Sequence, residues 1–213
     1  RLSHSHIRFG TFQRHAFEER PERISALIDH VIAGYYPALE GAQDRPAALL
    51  EAVTGRMARL TAAWMAAGFV HGVLNTDNMN ITGESFDYGP YRFLPRNDPN
   101  FVAAYFDQTG LYSFGRQAEA VFWNLRQLAG CFSLVGEEES LVAALNIFAG
   151  AYRAELARAM RRRLGVRGRG AEVDAALAQA AFQALAGGGE ALRWEPFFFD
   201  WFGGDETRAL AGV

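Results

Sequence analysis

The sequence predicts a mainly α-helical fold, α+β in class, that carries one β-hairpin. Two observations predict the helices: apolar residues recur at helical spacing in several separate segments, and start and stop residues bracket those segments. A third predicts the hairpin. Side chains on either side of Thr82-Gly83 separate into an apolar and a polar set by alternation, and Thr-Gly suits a two-residue turn.

Pro21 opens the first helix, and Ile24, Leu27, Ile28, Val31 and Ile32 share its apolar face. Asp44 and Pro46 start the next, with Val53, Met57, Leu60 and Trp64 as its stripe and Gly68 as its stop. The hairpin follows. Centring it on Thr82-Gly83 pairs Ile81 with Glu84, Asn80 with Ser85, Met79 with Phe86 and Asn78 with Asp87. One face then carries Asn78, Asn80, Ser85 and Asp87 as a working face, and the other buries Met79, Ile81 and Phe86. Residues 90–113, rich in Pro, Asn, Asp and aromatics, predict an irregular but ordered segment. Helices are expected from Gly115 to about Cys131 and from Glu137 to Leu164. The second has acids in its first turn, arginines in its last and Gly165 beyond, which complements the helix dipole. Ala171–Ala186 reads as a further helix, 187–189 as a break, and WEPFFFDWFGG from Trp194 as a packed aromatic segment.

At 213 residues, half of them apolar, and with a formal charge of −3, the chain can bury a full core and lacks a basic footprint for nucleic acid. No apolar run reaches the roughly 18 residues of a membrane span, and no signal peptide opens the sequence, so no membrane partner is expected. One cysteine, Cys131, excludes an internal disulfide framework, and its apolar helical setting predicts burial. All 21 basic residues are arginine.

The chemistry concentrates in His71–Pro90, HGVLNTDNMNITGESFDYGP. Facing residues of an antiparallel pair lie roughly 4.5–5.5 Å apart at Cα, so Asn78 and Asp87 can hold one small cation between two oxygens. Asx residues flanking a hairpin serve equally as turn formers or caps. The surroundings favour the cation. A helix ending at Gly68, a His-containing loop, an Asn, a hairpin and Asp87-Tyr88-Gly89 follow the order of a protein-kinase catalytic loop and its metal-binding motif. Amide and carboxylate oxygens suit Mg²⁺, which shares such ligands with phosphates.

Together with SHSHIRFGTF at residues 3–12, this stretch resembles the SelO family, also called YdiU or UPF0061. Members carry SHIRFGTF and HGVMNTDNMSI…DYGP, with WNL and LA downstream, here Trp123-Asn124-Leu125 and Leu128-Ala129. The resemblance runs from the first residues to beyond residue 130 and weakens in the helical tail. It implies a protein-kinase-like C-lobe, a helical bundle with one metal-binding hairpin, from an enzyme that transfers AMP rather than phosphate. ATP is the implied donor, Ser, Thr or Tyr hydroxyls of proteins the acceptors, and Mg²⁺ or Mn²⁺ the metal. Residue by residue, it implies Asn78 and Asp87 as metal ligands, Asp77 as the base, and Arg8 and Arg1 as contacts to nucleotide phosphates, with ATP flipped relative to ordinary kinases. Aligning HGVLNTDN on the kinase pattern HRDxxxxN puts Val73 where the catalytic Asp belongs, which agrees with Asp77 doing that work. The family's C-terminal cysteine or selenocysteine pair has no counterpart here, and the implied location is the cytoplasm of a bacterium or the mitochondrion of a eukaryote.

In this frame residues 1–20 connect N-lobe to C-lobe, 21–68 are helices, 69–90 hold the catalytic loop and hairpin, and 91–213 are the helical C-terminal part. A nucleotide transferase also needs a phosphate-covering loop and a Lys–Glu pair. With no Gly-rich phosphate loop and no lysine, the chain is expected to be a fragment that lacks its N-lobe partner and is inactive alone. Two other readings stand beside AMP transfer: a kinase-type phosphotransferase, and a non-catalytic nucleotide-binding or scaffolding pseudokinase. Individual residues have plainer roles as well. Arg8 fits a structural ion pair, His71 an ordering role in the loop, and Arg161–Arg163 with Arg167 and Arg169 a solvated helix end. His4-x-His6 is a poor metal motif without further ligands, and the sequon Asn80-Ile81-Thr82 is read as incidental.

Overall fold

The computed structural model of the chain describes residues 3–211, so Arg1 lies outside the described residues. Among these residues the helices are α1 (Phe9–Phe17), α2 (Pro21–Tyr35), α3 (Arg45–Ala67), α4 (Gln117–Phe132), α5 (Glu138–Arg163), α6 (Ala171–Gly187), α7 (Trp194–Asp200) and α8 (Glu206–Ala211). The sheet among them is one antiparallel pair, β1 (Phe69–Val70) with β2 (Arg92–Phe93). The fold is therefore mainly helical, and no described helix is long and apolar enough to cross a membrane. The described residues form two compact units: 3–60, 73–88 and 118–149, and 61–72, 89–117 and 150–211.

In the first unit, α2 begins at Pro21 and buries Ile24, Ile28, Val31 and Ile32, while Leu27 is only half-buried. Asp44 caps α3, its Oδ1 accepting from the Ala47 amide at 3.1 Å, and Leu49, Leu50, Val53 and Met57 form the stripe below. Leu60 is half-buried. The sequence reading has no helix at α1, which is short and contains a glycine at its second position. Burial makes it one: Phe9 and Phe12, three residues apart, are fully enclosed, and Phe12 meets Phe132 of α4 edge-on at 5.2 Å. Val121, Leu125 and Leu128 of α4 and Leu141 and Phe148 of α5 complete this core. Cys131 is buried as expected, and burial pushes its thiol up to about 11, which keeps it protonated and inert near neutral pH.

The second unit is organised around Trp194, which is fully enclosed and surrounded by Phe114, Phe182 and Phe198 at 5.6, 6.0 and 5.9 Å. The aromatic tail thus packs as predicted, through Trp194, Phe197 and Phe198, although Phe199 and Phe202 stay exposed. The β1–β2 pair is a departure from the sequence reading, which placed its only hairpin elsewhere. Its ladder is two residues long, Phe69 opposite Phe93 and Val70 opposite Arg92. The buried Gln117 side chain extends it, donating to the Phe69 carbonyl at 2.8 Å and accepting from the His71 amide at 3.0 Å. His71 is fully buried and edge-on to Trp64 at 5.6 Å, in keeping with an ordering role. The arginines at the end of α5 are largely paired. Arg161 reaches Asp174 at 3.3 Å, and Arg163 reaches Glu195 at 3.0 Å while its guanidinium lies 4.1 Å from the Phe198 ring.

Gly68 ends α3 at φ +63°, and a Cβ there would sit 2.6–2.9 Å from the Trp194 indole. Gly68→Ala therefore combines left-handed backbone strain with a clash against the core ring. It is expected to lower unfolding stability by about 1–3 kcal/mol, measured from the urea midpoint. An unchanged midpoint would show that Trp194 is not packed against this turn.

Candidate active site

All described candidate residues lie in the first unit, and backbone pairing brings their two sequence motifs together. The segment before α1 runs antiparallel to the first arm of the hairpin. Ile81 N–H donates to the Ile7 carbonyl at 2.9 Å, Phe9 N–H donates to the Met79 carbonyl at 3.0 Å, and Arg8 stands opposite Asn80. Side chains lock this register. Asn80, fully buried, donates to Ser3 Oγ and the Ser5 carbonyl and accepts from the Thr82 amide. Glu84 takes the other end: its carboxylate accepts from Thr82 Oγ1 at 2.7 Å and from Ser3 Oγ at 3.3 Å, and pairs with His4 Nδ1 at 2.9 Å.

The hairpin itself differs from the prediction by one residue. Met79, not Asn80, faces Ser85, flanked by Asn80 N–H to the Glu84 carbonyl at 2.9 Å and Phe86 N–H to the Asn78 carbonyl at 3.1 Å. Gly83 is the cause. It adopts φ +77° after a turn closed by its own N–H on the Asn80 carbonyl, a three-residue loop that absorbs one extra residue. Asn78 therefore comes opposite Phe86 rather than Asp87. The expected division of faces fails with it, since Asn78, Asn80 and Ser85 are buried along with Met79, Ile81 and Phe86. From the helical side, Tyr36 Oη donates to the Ile81 carbonyl at 2.7 Å, and burial pushes its phenol up to about 12, so it remains a donor.

Asp77, Asn78 and Asp87 are held in different ways. Asn75 opens a short 3-10 turn, Thr76–Asn78, its Oδ1 accepting from the amides of Asp77 and Asn78 at 3.0 and 3.2 Å. Asn78 Nδ2 donates to the Val73 carbonyl at 2.7 Å, which commits the nitrogen end and leaves Oδ1 as the acceptor end of the amide. Asp77 is exposed and its carboxylate lies against α1 at Gly10, where a Cβ would meet Oδ1 and turn the carboxylate aside. Asp87 sits at φ +57°, a conformation an L residue seldom adopts and which concentrates at functional sites.

Arg8 joins the group through its guanidinium, 3.9 Å from Asp87 and 5.0 Å from the centre of the Phe86 ring. Both partners of the ion pair are more than a third exposed, so solvent screens it to about 1 kcal/mol or less. An arginine held that loosely can exchange one anion for another. His6 stacks on Phe86 at 5.5 Å while His4 turns to Glu84, so the two histidines diverge.

The donor set fits a hard divalent cation. Asn78 and Asp87 offer amide and carboxylate oxygens, and no cluster of three or more His, Cys, Asp or Glu occurs among the described residues. Sequence reasoning missed the parts that Gly10, Asn75 and Glu84 play in this assembly. Asn75 carried a signal, because an Asx residue opening a tight turn is a cap; Gly10 meets Asp77 across a distance in sequence that no local pattern spans.

The chain matches the family model described as "Protein adenylyltransferase SelO" over residues 1–202. It is similar to "Protein nucleotidyltransferase YdiU" of Synechocystis sp. (strain ATCC 27184 / PCC 6803 / Kazusa), 48% identical over 169 residues, covering 78% of this chain and 35% of that protein. The protein of the same name from Pseudomonas entomophila (strain L48) is 42% identical over 189 residues, covering 89% of this chain and 39% of its own length. The one from Gloeobacter violaceus (strain ATCC 29082 / PCC 7421) is 48% identical over 165 residues, with 78% and 34% covered. The chain thus spans between a third and two-fifths of the length of these curated relatives.

Glu84 gives the assembly a pH dependence. Burial pushes its carboxyl up, but hydrogen bonds from His4 and Thr82 outweigh that and hold it below the ordinary value of 4.5. A carboxyl lowered on folding stabilises the fold above its unfolded value, and that contribution is lost as pH falls through the folded one. Amide exchange at Ile81 is therefore expected to accelerate once pH drops below about 4.5, after correction for intrinsic rates, and Glu84→Gln is expected to remove the transition. The same transition in Glu84→Gln would assign it to another group.

Proposed function

The chain belongs to the SelO family, and on that premise we propose that the protein transfers AMP from ATP to a hydroxyl group of a protein, using a divalent metal ion, Mg²⁺ or Mn²⁺. The carrying observation is the hydrogen-bonded union of the Arg8 segment with the hairpin. It gathers a phosphate-type arginine, two hard metal-type oxygens and an exposed carboxylate into one compact unit. Because the chain spans 34–39% of its relatives' length, the activity is assigned to the protein at that full length.

The residues divide the work by their chemistry. Asn78 Oδ1 and the Asp87 carboxylate hold the metal ion, which when bound neutralises phosphate charge and orients the nucleotide. Arg8 leaves its weak pair with Asp87 for the phosphates, where a guanidinium fork matches the oxygens and develops no competing proton chemistry. Arg1 is proposed as a second phosphate contact. Asp77 accepts the proton of the attacking Ser, Thr or Tyr hydroxyl as its oxygen bonds to the α-phosphorus and pyrophosphate departs. Its exposure suits that role, since the acceptor arrives from solvent on another protein. The enclosing N-lobe of a kinase-like enzyme would supply the phosphate-covering loop and the Lys–Glu pair absent here.

Parallel incubation of the full-length protein with α-labelled and γ-labelled ATP tests the reading. Label is expected on protein from the α position only, and Asp87→Ala is expected to lower its transfer by about a hundredfold or more. Label from the γ position alone would make the protein a kinase. An unaffected rate in Asp87→Ala would remove the metal role of Asp87, and label from neither position would leave a scaffold.

A further inference from the structure

The loop that presents Asp77 and Asn78 has no regular secondary structure between Val73 and Asn75, so its carbonyls need partners other than a ladder. Two side-chain amides supply them. From within the loop, Asn78 holds the Val73 carbonyl at 2.7 Å. From α4, Asn124 donates to the Leu74 carbonyl at 2.7 Å and to the Ala120 carbonyl of its own helix at 2.9 Å. The two consecutive carbonyls ahead of the active turn are thus clamped by two different amides.

Asn124 is an expensive way to hold a loop. It is fully buried, and its Oδ1 is shut off from solvent without a hydrogen-bond partner. A buried polar atom left unpaired costs stability, and an apolar side chain of the same shape would fill the space without that cost. What the amide supplies instead is a fixed position for Leu74, three residues ahead of Asp77. Local costs of this kind concentrate where function needs a defined geometry.

We propose that Asn124 is a positioning residue for the active turn: its amide fixes the Leu74 carbonyl, and through it the placement of Asp77 and Asn78. The functional half of this inference rests on the AMP-transfer reading; the structural half does not. Asn124 touches neither nucleotide nor acceptor in this scheme, so its loss should lower turnover without weakening ATP binding to the same degree.

Two near-isosteric variants test it. Asn124→Leu removes both donors and the unpaired oxygen; Asn124→Asp keeps the shape and removes the donors. In this chain, hydrogen exchange at residues 74–78 is expected to rise at least about tenfold in both, with α4 protection retained and cooperative melting preserved in Asn124→Leu. In the full-length protein, kcat for AMP transfer is expected to fall about 10–100-fold while KM for ATP changes less than about twofold. Unchanged loop protection overturns the positioning role. So does an unchanged kcat in a wild type that transfers AMP, or a failure of both variants to fold, which would make Asn124 a purely structural residue. A wild type that transfers no AMP would remove the functional reading, while loop exchange still decides the positioning.

Discussion

Everything at the site depends on the pairing of the Arg8 segment with the first arm of the hairpin. Two backbone hydrogen bonds, from Ile81 to Ile7 and from Phe9 to Met79, fix the register, and a one-residue slip would turn every side chain to the other face. Phe9 then starts α1 with its ring in the core, and Gly10 follows against Asp77. The absence of a side chain at Gly10 leaves the Asp77 carboxylate in this position, from which a Cβ would displace it. The same pairing brings the Arg8 guanidinium over Phe86 and beside Asp87. Motifs far apart in sequence are thus one structural element, and neither has its geometry without the other.

Side-chain amides do in this region what a sheet would do elsewhere. Asn75 caps the turn that carries Asp77, Asn78 and Asn124 secure consecutive carbonyls, and Asn80 ties the hairpin to Ser3 and Ser5. Each is short enough to bond locally and offers both donor and acceptor, which a carboxylate cannot. The arrangement is precise without being strongly stabilising, and it leaves Asp77 and Arg8 accessible while Asn78 is buried, with 5% of it exposed. Glu84, the one carboxylate in this clamp, makes it sensitive to acid.

Much of this fold was legible in the sequence, where the rules are local. Pro21, the Asp44 cap, Gly68 and the charge pattern of α5 mark helix ends that the structure has within a residue or two. The sequon at Asn80 reads as incidental and Cys131 as buried, and both residues are buried. What escaped depends on distant partners. The α1 helix forms because Phe9 and Phe12 find a core, and β1–β2 is a two-residue ladder completed by the Gln117 side chain. The hairpin register escaped for a subtler reason: alternation predicts faces but not loop length, and Gly83 in the left-handed region inserts one residue. Asn78 thus stands opposite Phe86, and it and Asp87 are not the directly facing pair that strict alternation predicts.

Crystallographic location of Mn²⁺ by its anomalous signal, in the full-length protein with a non-hydrolysable ATP analogue, is the most direct test of the site. The account predicts a manganese ion within roughly 2.0–2.3 Å of Asn78 Oδ1 and an Asp87 carboxylate oxygen, with Arg8 moved from Asp87 onto a phosphate. A metal ion bound by other residues, or a nucleotide seated with Arg8 still paired to Asp87, would contradict it.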